Sequence, residues 1–243
     1  RAAVVFHDAD LGRLFGMRNR VSQLTYPRLR ELTQGKVPLL SEVLHAFRNQ
    51  LRFYVEVKAE GLHDGVLKLL VRKVWEDIRA SRTEKDCMVA SFDYRVPREY
   101  RALAPRAQTG FIFYRASALR LGRASDFREV DAFCPHKKFI TQEHMDWMKG
   151  LGKKVFPWVL DGAEEQRRAI RLGVDGIVTN DPGKLRRLLR GRALFPFPCG
   201  TSGWFFPASG LLIWTARWLP ARPSAGSSKG RATRVWSATR WWK

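Results

Sequence analysis

The stretch Arg52-Phe53-Tyr54-Val55-Glu56-Val57-Lys58 decides how this chain is read. Aromatic and β-branched residues dominate it and favour a strand. Side chains alternate across a strand, so Tyr54, Glu56 and Lys58 point to one face and Phe53, Val55 and Val57 to the other. Glu56 and Lys58 are then neighbours, roughly 7 Å apart along that face. A carboxylate and an ammonium at the end of an apolar strand suit a hard cation and an anionic substrate. A strand with one solvated, loosely paired face accounts for these residues as well, and the rest of the chain has to decide between the two.

Downstream of this strand, helical spacing alternates with short apolar runs. Strands are expected at residues 87–92, 109–114, 130–134, 154–159 and 174–178. Helices are expected at 63–81, 94–104, 141–151, 162–172 and 182–190, with Thr141 capping one start and Gly152 just past its end. Residues 115–127 read as a loop with a helical turn. Such alternation predicts βα units around a parallel sheet, an α/β fold. The polar and aromatic residues gather at the strand C-termini: Glu56 and Lys58, Ser91 and Phe92, Trp158, Thr179 and Asn180. That is where a TIM barrel builds its site. A closed barrel needs eight strands, and six are countable from Phe53 onward. An open arc of six would leave two apolar edges exposed.

Upstream, residues 2–7 form an apolar run ending in His7-Asp8, followed by a polar turn and two helical segments at 24–34 and 39–50. The 243 residues carry 44 Lys and Arg against 23 Asp and Glu, a formal net charge of +21. This excess favours phosphate substrates, nucleic acid or an anionic membrane surface without choosing among them. Cys87, Cys134 and Cys199 follow no metal-ligand spacing, and an odd number argues against a disulfide framework. No signal peptide is visible, and with a start at Arg1 an incomplete N-terminus is expected. Past Arg190 the composition changes to a basic tail rich in Trp, Arg and Ser, with no acidic residue from 191 to 243. Its uncharged run, residues 193–216, is long enough to span a membrane, but prolines and glycines break the helix a span requires. The tail is expected to be disordered.

Several blocks, taken in order, resemble the glycerophosphodiester phosphodiesterase family over roughly residues 3–190. Val4-Val5-Phe6-His7-Asp8 with Leu11 and Arg13 is similar to a family strand ending in His-Asp. Residues 21–32 and Val37-Pro38-Leu39-Leu40-Ser41-Glu42-Val43-Leu44 resemble its next two blocks. Glu56-Val57-Lys58 matches its E-x-K, and Ala90-Ser91-Phe92-Asp93 its S-F strand end. Trp158 and the run from Gly173 to Asn180 with Pro182 resemble its last two strands, with Val159 in place of a usual threonine and Asn180 in place of a frequent aspartate. The order and spacing of the blocks carry the resemblance more than any one of them.

The resemblance implies a metal-dependent TIM-barrel hydrolase that cleaves glycerophosphodiesters to an alcohol and sn-glycerol 3-phosphate. His7 would be one of two catalytic histidines, Lys58 the positive partner of the phosphate, and Glu56 a ligand to Ca²⁺ or Mg²⁺. Phe92 and Trp158 would line the substrate cleft. The family's His-Arg-Gly strand and E-x-D strand are not matched here, so the first two βα units and most of the metal site are expected to be missing. Negligible activity is the consequence expected for this chain. His45, His63, His136 and His144 are read as structural or solvated, and Lys137 and Lys138 as solvated with some reach toward a head group. Two other readings stay open: a phospholipase D-type enzyme acting on lysophospholipids, and a non-catalytic barrel remnant that binds polyanions. No specific nucleic-acid motif is present. Peripheral membrane contact is compatible with the charge, and the compartment is not fixed by the sequence.

Overall fold

The computed structural model describes residues 2–115 and 127–190 and the backbone of 212–219. The elements in chain order are β1 (Ala2–Val5), α1 (Gly12–Phe15), α2 (Tyr26–Leu32), α3 (Leu40–Ala46), β2 (Phe53–Val57), α4 (Asp64–Ala80), β3 (Cys87–Ser91) and α5 (Arg95–Leu103). There follow β4 (Gln108–Phe113), β5 (Ala132–Pro135), α6 (Gln142–Gly150), β6 (Lys154–Val155), α7 (Ala163–Arg171), α8 (Pro182–Arg190) and β7 (Leu212–Leu219). They form one seven-stranded sheet in the order β1-β7-β2-β3-β4-β5-β6. From β2 to β6 every neighbouring pair is parallel, with Phe53 opposite Cys87, Val89 opposite Thr109 and Phe111 opposite Phe133. The βα alternation expected from Phe53 onward is thus present. Thr141 accepts a hydrogen bond from the His144 N–H at the start of α6, and Gly152 takes a left-handed φ of 70° beyond its end.

β6 is shorter than the 154–159 expected, because Pro157 has no N–H to add to the ladder. The pairing continues around it: the Phe156 N–H donates to the Phe133 carbonyl at 2.9 Å and the Trp158 N–H to the Pro135 carbonyl at 3.0 Å. Residues 174–178, expected as a strand, lie extended along the other side of β6. There the Asp175 N–H donates to the Val155 carbonyl and the Val178 N–H to the Pro157 carbonyl.

The two faces of the sheet divide as alternation predicts. Phe53, Val55 and Val57 pack outward with Val89 against Leu67, Leu70, Val71, Val74 and Ile78 of α4 and Val96 and Tyr100 of α5. Tyr54, Met88, Ala90, Ile112, Ala132, Cys134 and Phe156 form the inner layer, on which Phe92 and Trp158 rest. Gly110 lies in that layer because it must. A Cβ there would stand 3.1 Å from the Ala90 Cβ and 3.2 Å from the Cys134 Sγ.

One stretch of the tail lies among the described residues. Leu212–Leu219 forms β7, parallel to β2 and antiparallel to β1, where disorder is expected from composition. Ile213, Trp214, Thr215 and Trp218 have high strand propensity, and the surrounding Pro and Gly obscure it. β7 also covers the edge of β2 that an open arc would expose. The rest of the tail and residues 116–126, expected to hold a helical turn, lie outside the described residues. Among the described residues no helix is long and apolar enough to cross a membrane.

Candidate active site

The site begins where β2 ends. Glu56 is the last inward-facing residue of the strand and is only 7% exposed. Lys58 follows it, and its Nζ donates to Glu56 Oε1 at 2.6 Å, so the pair expected to be neighbours is a largely buried ion pair. Next to it, the buried Ser91 hydroxyl donates to the Val57 carbonyl at 2.7 Å and accepts from the Asp93 N–H at 3.1 Å. Those two bonds tie the end of β3 to the end of β2 and fix the backbone that presents Phe92.

An aromatic wall extends from there across the strand ends. The Lys58 ammonium lies 5.5 Å from the centre of the Phe92 ring, within cation–π range. Phe92 meets Trp158 edge to face at 5.4 Å and Tyr114 at 6.0 Å, and Trp158 meets the His136 imidazole at 5.1 Å. The Trp158 Nε1–H donates to the Cys134 carbonyl at 2.8 Å, which holds the indole against the inner layer. Below the wall, burial pushes the Cys134 thiol up to about 12, and burial with the adjacent thiol raises the Tyr54 phenol well above its ordinary value. Both stay protonated at neutral pH, a rigid floor with no part in proton exchange.

His7 sits just past β1. Its Nδ1 is 2.8 Å from Asp8 Oδ1, and Asp8 Oδ2 accepts from the Arg13 Nε at 2.7 Å. Partial burial opposes ionisation of Asp8, but the hydrogen bonds from Arg13 and His7 outweigh it and hold the carboxyl below its usual range. Val5 and Val57 are both level with Ala216. Val5 and Val57 thus stand about 10 Å apart across β7, and because β1 runs antiparallel to β2 the chain leaves Val5 toward the start of β2 rather than past its end.

The structure thus brings Glu56, Lys58, Phe92 and Trp158 into one row and places His7 with Asp8 and Arg13 on the far side of β7. Two members of the wall went unrecognised in the sequence, His136 and Tyr114. Each directly follows a strand, His136 after β5 and Tyr114 after β4, and that position is the signal that could have singled them out. Among the described residues no group of three or more His, Cys, Asp or Glu side chains could hold a metal ion. Glu56 alone offers two oxygens, one engaged by Lys58, whereas a hard cation takes six or more. The described residues do not by themselves fit Ca²⁺ or Mg²⁺.

The sequence matches the model of the glycerophosphoryl diester phosphodiesterase family over residues 1–184. The chain belongs to that family. Its members are phosphoric diester hydrolases with a TIM-barrel fold, and the strand–helix alternation here is that fold's. A glycerophosphodiester phosphodiesterase of Caldanaerobacter subterraneus is 26% identical over 200 residues, 77% of this chain and 80% of its own length. The structure of a glycerophosphodiester phosphodiesterase from Parabacteroides distasonis superposes with a TM-score of 0.66 at 22% identity, covering 79% of each chain. An Oleispira antarctica phosphodiesterase solved with the product sn-glycerol-3-phosphate superposes with a TM-score of 0.68 at 17% identity, covering 77% of this chain and 79% of that one. These two structural likenesses bear on the fold.

Proposed function

We propose that the row at the strand ends is a glycerophosphodiester site, in which Lys58 meets the phosphate charge and Phe92 and Trp158 flank the glycerol or alcohol carbons. The observation that carries the proposal is the Glu56–Lys58 pair, buried at the head of an aromatic wall. Lys58 is held in place before any ligand arrives, so little side-chain entropy is lost on binding. In the hydrolysis, water gives up a proton as its oxygen bonds to phosphorus, the bond from phosphorus to the alcohol oxygen breaks, and the departing oxygen takes up a proton. His7 is the group for one of these proton transfers. Asp8 holds the imidazole through Nδ1, in the manner of a carboxylate-oriented histidine.

Glu56 is the oxygen ligand this row offers to a divalent cation, and the remaining ligands are not among the described residues. One positioned acid/base group supplies about 10²–10⁴ in rate, far short of the 10⁶ or more typical of an enzyme. The expected behaviour of the 243-residue chain is therefore binding of the diester with negligible turnover. The test is to measure glycerophosphocholine hydrolysis in Ca²⁺ or Mg²⁺ alongside calorimetric binding of sn-glycerol 3-phosphate. Turnover that disappears in His7→Ala would show that the cation site is complete after all. Absence of sn-glycerol 3-phosphate binding would remove the assignment of Lys58.

A further inference from the structure

We propose that the cavity lined by His136, Lys138 and Arg168 is a second anion subsite, which selects diesters whose alcohol carries a negative charge of its own. The inference rests on the proposed diester site and adds the class of head group. The cavity measures about 270 Å³, just below the 300–1,000 Å³ usual for whole small ligands. It has room for a head group and not for a complete lipid. Three elements build it. Residues His136 to Lys138 follow β5, Leu160 follows β6, and Glu165 and Arg168 stand one turn apart on α7.

Charge decides what the cavity takes. Lys137 is engaged by Glu165 at 2.7 Å, which consumes the one carboxylate in the lining. Lys138 and Arg168 remain as uncompensated positive charge around a concave surface. Among the described residues no hydrogen bond or ion pair takes the Arg168 guanidinium. Concave surfaces lined by one sign of charge focus the field and concentrate the opposite ion. His136 registers the same field: burial, then Lys138 and Lys137, push its pKa down, so near neutrality it stands as a neutral ring. A choline or ethanolamine ammonium is repelled here, and a phosphorylated or carboxylated alcohol is attracted.

The cavity connects to the diester site through the aromatic row. Lys58 lies over Phe92, Phe92 meets Trp158, and Trp158 meets His136, which itself lines the cavity. To use both sites, a diester whose phosphate rests at Lys58 has to extend its alcohol along this aromatic row as far as Lys138 and Arg168.

The test uses calorimetry at low ionic strength on the full chain, with sn-glycerol 3-phosphate, glycerophosphocholine and glycerophosphoinositol 4-phosphate as probes. The inositol phosphate diester should bind about tenfold more tightly than the choline diester, from two exposed charge contacts on a concave surface. The double variant Lys138→Gln/Arg168→Gln should erase that preference and leave the affinity for sn-glycerol 3-phosphate unchanged. Equal binding of the two diesters, or a preference that survives the double variant, overturns the subsite. If sn-glycerol 3-phosphate still displaces both diesters in that case, the diester site itself stands. If it displaces neither, the diester site falls and this inference falls with it.

Discussion

Replacing Lys58 by Met is the most informative single perturbation, because it separates a buried ion pair from a hydrated one. The side chains of Glu56 and Lys58 are 9% and 11% exposed and their charged atoms are 2.6 Å apart. Removing the ammonium leaves a carboxylate enclosed by the inner layer and the aromatic wall with its partner gone. Breaking a buried pair in this way typically costs about 3–5 kcal/mol. The open side of the row toward solvent favours the lower value, so we expect a loss of about 3 kcal/mol. For a domain of this size that is a fall of roughly 6–12 °C in melting temperature. The companion variant Lys58→Met/Glu56→Leu removes both charges and should recover most of the loss, since an apolar pair of similar volume is often neutral or better. Urea unfolding of the parent, both single variants and the double variant closes the cycle. A loss below about 1 kcal/mol for Lys58→Met is the signature of a solvated surface pair. That result would refute the argument that Lys58 is preorganised for an anion.

Four further outcomes follow from particular contacts. Gly110→Ala pushes a methyl into Ala90 and Cys134 and should destabilise by about 1–3 kcal/mol, as overpacked cores do; an unchanged urea midpoint would mean the inner layer is loosely packed. Trp158→Phe keeps an aromatic side chain but removes the indole N–H that bonds the Cys134 carbonyl, for an expected cost of at least about 1 kcal/mol, read from the melting temperature. Burial raises the Asp77 carboxyl, the bond from Lys73 opposes this without cancelling it, and neighbouring Glu76 adds to the rise. A raised carboxyl contributes fully below the unfolded value of about 3.9 and loses that contribution as pH climbs. Asp77→Asn should therefore gain on the parent between pH 4 and pH 7, and a gap that narrows over that range contradicts the assignment. Removing residues 191–243 takes β7 with it and opens the edge of β2, so light scattering should report concentration-dependent association; a monodisperse, equally stable product would show that β7 is dispensable.

Much of the fold was legible because the signals were local. The alternation in Arg52–Lys58 correctly separates Tyr54 and Glu56 from Phe53, Val55 and Val57, and Thr141 and Gly152 mark the ends of α6. What was not legible depended on contacts far apart in sequence. β7 has no alternation of its own to announce it, and its place in the sheet comes from partners at the other end of the chain. The same holds at the candidate site. The strand position of Glu56 and Lys58 follows from periodicity, but the wall formed by Phe92, Trp158, Tyr114 and His136 exists only once β3, β4, β5 and β6 lie side by side. His136 looks like an ordinary polar residue until Trp158 is set against it.

The pairing of Ala2 with Leu219 also sets a clock on biosynthesis. The ribosome releases β1 and β2 long before it makes β7, and at about 5–20 residues per second the wait after Ala2 emerges is roughly 10–40 s. Throughout that interval the flanks of β1 and β2 that later face β7 have no native partner, while β3 and β4 can already dock on the other side of β2. Pairings between such distant parts of a chain are slow to form even in the finished polypeptide. The nascent chain should therefore depend on chaperone shielding of those two strands until β7 is translated, and production should be more sensitive to chaperone supply than the stability of the folded protein alone would suggest.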